Sequence, residues 1–165
     1  MAPRHKKRSS LSGPKVVVIG VGNEFGGDDA AGIAVARLLK LGEIPRSVKV
    51  LEHDGDGAAL MELWKGAHAV ILVDASNSDA RAGAIRRFDA TTTPLPAHTL
   101  RQSSHAFGVP EAIEMGRALK QLPRRLIVYA IEGRNFAAGA RMSSPVERTV
   151  HTVADQVLSE IRSLG

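Results

Sequence analysis

Three runs of consecutive apolar residues constrain the fold more than any other feature: Val16-Val17-Val18-Ile19, Ala69-Val70-Ile71-Leu72-Val73 and Leu126-Ile127-Val128-Tyr129-Ala130-Ile131. A strand with one wet face alternates apolar and polar residues. Unbroken runs rich in β-branched residues fit strands covered on both faces, as in the centre of a parallel sheet. Parallel neighbours need long crossovers, and the intervening sequence reads as helical. The expected fold is α/β, a single domain with a central, mostly parallel sheet of about five strands flanked by helices on both faces.

The crossovers follow from local chemistry. A helix from about Asp29 to Leu41 has Asp28 or Asp29 near its N-cap and Gly42 as its stop. A second strand starts at Val48 and runs to Leu51 or slightly beyond, and Gly55-Asp56-Gly57 turns it into a short helix ended by Gly66. A weaker strand, about Ala84 to Phe88, leads into a Thr- and Pro-rich loop from Thr91 to Pro96. His105 opens a further helix that stops before Pro123. Ser144, Pro145 and Glu147 supply an N-cap, a first-position proline and a capping-box acid for the last helix.

The net charge of +5 invites a nucleic-acid reading that its distribution removes. Arg4, Lys6, Lys7, Arg8 and Lys15 hold five of the 22 basic residues, and the other 17 meet all 17 acids. A neutral body has no broad phosphate-binding face. Residues 1–14 read as a disordered basic arm ahead of a domain over 15–165, with no nucleic-acid partner and no membrane association. With no cysteine in the chain, disulfides and thiol nucleophiles are excluded. The expected compartment is the cytoplasm, since neither a bilayer-spanning run nor the apolar stretch of a secretory signal is evident.

The stretch Gly20-Val21-Gly22-Asn23-Glu24-Phe25-Gly26-Gly27-Asp28-Asp29 joins a buried strand to a helix, where α/β proteins commonly build their sites. It fails as a dinucleotide fingerprint because Phe25 takes the third glycine position, and as a phosphate loop because no lysine follows Gly27. Three carboxylates, Glu24, Asp28 and Asp29, suit a cation better; the same residues would also make a tight turn with capping aspartates. Asp74 ends a buried strand and should emerge at the same sheet edge, although taken singly it would equally form a turn. His105 alone would serve as a capping or surface histidine.

Taken together, two carboxylates and an imidazole on separate segments make a three-ligand site with open positions. Nickel suits such donors, as do zinc, manganese and iron. His53, Asp54 and Asp56 are candidates for orienting a ligand, and equally for shaping the turn after the second strand. Serine-hydrolase and common metalloprotease motifs, Gly-x-Ser-x-Gly and His-Glu-x-x-His, are missing.

From Val16 to the final helix the chain resembles the hydrogenase maturation endopeptidases. The likeness is carried by Ile19-Gly20-Val21-Gly22-Asn23 with Asp28-Asp29 and Gly32, by Asp54-Gly55, Val73-Asp74-Ala75 and His105, and by Ser144-Pro145-Val146. Asp29 stands where the family more often has Glu. The resemblance implies an aspartyl-type endopeptidase that removes a C-terminal extension from the large-subunit precursor of a nickel-iron hydrogenase. It implies Asp29, Asp74 and His105 as the metal-contacting trio, with Asp28 and Asn23 shaping the loop. If a carboxylate assists water attack, Asp28 or Asp29 is the choice, although a metal ligand cannot freely serve as base. Nickel, the one cofactor implied, would arrive bound to the precursor, and the enzyme would act as a monomer. An alternative with the same trio is a nickel-sensing maturation chaperone without hydrolytic activity.

Overall fold

The computed structural model describes residues 13–164. The expected basic arm therefore lies outside the described residues, apart from its last two positions. Five strands form one sheet in the order β2-β1-β3-β5-β4: β1 (Val16–Val21), β2 (Val48–His53), β3 (Ala69–Ser76), β4 (Ile85–Asp89) and β5 (Arg125–Glu132). β1 pairs in parallel with β2 and β3, β3 pairs in parallel with β5, and β4 runs antiparallel along the outer side of β5. The expected α/β sheet of about five mostly parallel strands is what the chain forms.

The unbroken apolar runs occupy the interior of this sheet, and every residue of β1 and β3 is buried. Alternate side chains feed two cores. Val16, Val18, Ile71 and Val73 point to the face covered by α1 (Ala31–Leu41) and α4 (Ser144–Leu164), against Val35, Leu39, Val150, Val153 and Val157. Val17, Ile19, Val70 and Leu72 point to the face covered by α2 (Gly57–Trp64) and α3 (Val109–Ala118), against Leu60, Trp64 and Ile113. Two covered faces are why the strands show no alternation.

Boundaries differ from expectation in four places, the first being β3, which continues through Asp74 to Ser76. The first helix is preceded by a 3-10 turn over Gly27–Ala30, and neither aspartate there caps it by a side-chain hydrogen bond. The helix after the Thr- and Pro-rich loop starts at Val109, with Gly108 as N-cap and Pro110 in the first turn, so His105 belongs to the loop before it. Ser143 O accepts the amide of Glu147 at 2.9 Å, which gives Ser143 the N-cap role expected of Ser144.

From β1 the chain passes over one face to β2, then returns beneath to β3 on the other side of β1. This reversal opens a crevice at the carboxyl ends of β1 and β3, the place where open α/β sheets bind ligands. Gly32 brings α1 right onto that edge: a Cβ there would lie 2.2 Å from Val73 O and 2.4 Å from Val21 O. No other residue fits so close an approach.

Candidate functional site

The crevice is an open cleft of about 760 Å³ whose lining includes Asn23, Asp29, His53, Asp54, Asp74, Arg101, His105 and Phe136. Asp29, Asp74 and His105, expected from three separate segments, all face it. The sheet edge supplies Asp74, the turn into α1 supplies Asp29, and the loop ahead of α3 supplies His105. The His105 amide donates to Ser103 Oγ at 3.0 Å, which shapes that loop.

The three acids of the glycine-rich loop have separate partners. Glu24 accepts from Arg37 at 2.8 Å, and Arg37 together with Lys40 also holds Glu52 on β2. Asp28 is completely buried. Its carboxylate accepts the amides of Arg134 at 2.7 Å, Asn135 at 2.9 Å and Ser143 at 2.7 Å, and the Ser143 hydroxyl besides. Burial works to raise its pKa, but the amides of Asn135, Arg134 and Ser143 and the Ser143 hydroxyl outweigh it and hold the carboxyl below its ordinary value. A carboxylate so occupied clamps the loop, which is the shaping role that the family resemblance implies for Asp28. Asp29 turns the other way, into the cleft, with Oδ1 3.1 Å from Arg101 Nη1.

Asp74 is buried at 7% exposure, and its Oδ1 accepts the amide of Ala75 at 2.8 Å. Burial pushes its pKa well above the ordinary carboxyl value; the Ala75 amide opposes this, the charge of Asp29 adds to it and that of Arg101 reduces it. On the far wall, burial lowers the pKa of His53 against the pull of Asp54 and Asp56. The Gly55 amide donates to His53 Nδ1 at 3.0 Å, so a neutral His53 carries its proton on Nε2. Asp54 Oδ2 lies 3.5 Å from His105 Nε2, which sets an acid that follows β2 beside this imidazole. Asp56 donates its amide to Asp54 Oδ1 at 3.0 Å and so steadies Asp54 in turn.

Carboxylate and imidazole donors suit a borderline divalent ion. Their arrangement falls short of a closed shell: among the described residues, no group of three or more His, Cys, Asp or Glu side chains is disposed to hold a metal ion. Asp29 faces a guanidinium, His105 faces Asp54, and Asp74 is withdrawn under the strand end. The trio thus lines one cleft, with each member engaged by a different neighbour.

Arg101 and Phe136 went unnoticed in the sequence. The Arg101 amide donates to Ala75 O at 2.9 Å, and its guanidinium carbon lies 4.2 Å from the centre of the Phe136 ring. The only hint was a basic residue four positions before His105.

The chain is similar to several known proteins. Residues 33–160 match the family model described as hydrogenase maturation protease. A putative hydrogenase maturation protease of Methanocaldococcus jannaschii is 27% identical over 155 residues, covering 89% of this chain and 96% of that protein. The hydrogenase 2 maturation protease of Escherichia coli is 22% identical, covering 92% and 93%. The hydrogenase expression/formation protein HupD of Thiocapsa roseopersicina is 23% identical over 122 residues, and this chain spans about half of its length, 55%. Among solved structures, the hydrogenase maturating endopeptidase HybD of E. coli superposes with a TM-score of 0.80 at 23% identity, covering 92% of this chain and 94% of that one. Likeness at that identity speaks for the fold.

Proposed function

The chain belongs to the hydrogenase maturation protease family, and from that premise we propose that it is an endopeptidase acting on a nickel-iron hydrogenase large-subunit precursor. In this reading it hydrolyses one peptide bond near the precursor's C-terminus once nickel has been inserted there. The nickel belongs to the substrate. Asp29, Asp74 and His105 complete its coordination, and the metal positions the scissile segment against the cleft.

The observation that carries this reading is the convergence of those three side chains, from positions 29, 74 and 105, on one open cleft at the reversal point of the sheet. An incomplete shell suits an ion whose remaining ligands come from another protein. Asp54 lies beside His105, and Asp28 acts as the clamp that fixes the loop bearing Asp29. Among the described residues no helix is long and apolar enough to cross a membrane.

Purified protein mixed with nickel-loaded and nickel-free precursor tests the proposal by mass spectrometry. A shortened product from the loaded form alone is expected. A stable complex with no change of mass would replace the protease by a nickel-sensing chaperone.

A further inference from the structure

One side chain in the cleft has no part in the scheme above, and its position is closely determined. Arg101 is tied at its backbone to Ala75 O, beside Asp74, so its side chain must start at the acidic edge of the sheet. Its guanidinium lies 3.1 Å from Asp29 Oδ1 and over the face of Phe136, a contact that favours a planar cation. The pair is sheltered, with side-chain exposures of 31% for Arg101 and 18% for Asp29.

Arginine stays charged throughout the accessible pH range, so it is a permanent rival for any cation approaching Asp29. Asp29 meets the guanidinium directly and Asp74 lies behind it at the strand end, so Arg101 offsets the negative charge at the mouth of the acidic edge. A free aqueous ion entering the cleft would have to remove the guanidinium using only its own few bonds. A nickel carried by a docked protein comes with an entire interface, which can offset that displacement.

Building on the function proposed above, we propose that Arg101, held against Phe136, is the resident counter-ion of the Asp29–Asp74 pair and makes the cleft refuse free divalent metal while accepting metal delivered within a precursor. Arg101 is thereby a specificity residue that acts through Asp29.

Calorimetric titration of the purified full chain with nickel chloride alone tests this without any precursor, so its result is independent of whether cleavage occurs. R101Q should bind nickel at least tenfold more tightly than the unaltered chain, and adding D29N to R101Q should abolish the gain. R101K, which keeps the charge, should stay within about threefold of the unaltered chain. F136L keeps the arginine but removes its aromatic support, and should give a smaller gain in the same direction. This variant also decides the matter if R101Q does not fold. Equal nickel affinity in R101Q and the unaltered chain, or in F136L if R101Q fails to fold, would overturn the proposal, as would weaker binding by R101Q.

Discussion

Adjacent identical side chains have opposite fates at Asp28 and Asp29. One is sealed in a nest of amides, and the other opens into the cleft. D28N would place an amide nitrogen among donors that need an acceptor. Replacing charged, buried hydrogen bonds in this way should cost about 2–4 kcal/mol of stability in urea unfolding. Asp74 behaves in the reverse sense. Its raised pKa means that folding disfavours its ionised form, so D74N should keep or slightly raise the melting temperature at pH 7 while abolishing precursor processing. H105A should likewise abolish processing with unchanged far-UV circular dichroism. Normal turnover by either variant would remove that residue from the site. Sequence could point to Asp29 and Asp74 because each comes after an apolar strand run, whereas His105 was nominated through the family resemblance. The partners of Asp28 lie 106 to 115 positions away in irregular chain, where no local pattern points to them. Arg101 was hidden for a similar reason, because only a backbone tie to a distant strand brings it to the acids.

At the level of elements, the strands were the most legible part, since continuous burial leaves an unmistakable apolar run. β4, at the edge and half-buried, was also located to within a residue. Helix starts were less legible. The loop before α3 has no periodicity to mark where it ends, and a 3-10 turn took the place of the expected first turn of α1. The junction of α1 with the sheet rests on Gly32, whose position against two strand carbonyls leaves no room for a methyl group. G32A should therefore destabilise the protein by about 3 kcal/mol or more, far beyond the gain in helix propensity of under about 1 kcal/mol. Because lifting α1 would also move Asp29, folded G32A should process poorly. Full stability in G32A by chemical unfolding would mean the contact is looser than described.

Over the whole molecule, the response to acid is set by carboxylates whose pKa values folding has moved. Asp28 and Glu160 sit below their ordinary values of 3.8 and 4.5, so their stabilisation is complete above those values and is lost as pH falls through the depressed ones. Glu160 owes this to Arg87 and Tyr129, which overcome its burial. Asp74 contributes in the opposite direction, because protonating it relieves an unfavourable charge. Stability measured by denaturant should thus fall steeply only below about pH 4, the ordinary carboxylate range. In D28N that fall should be shallower, and an unchanged slope would assign acid sensitivity elsewhere.

The clamp on Asp28 also gives the chain a built-in order of completion. The turn that aims Asp29 comes 106 to 115 positions earlier in the chain than the amides that anchor it, at 134, 135 and 143. A nascent or truncated chain can hold every acid of the cleft and still leave the loop unaimed.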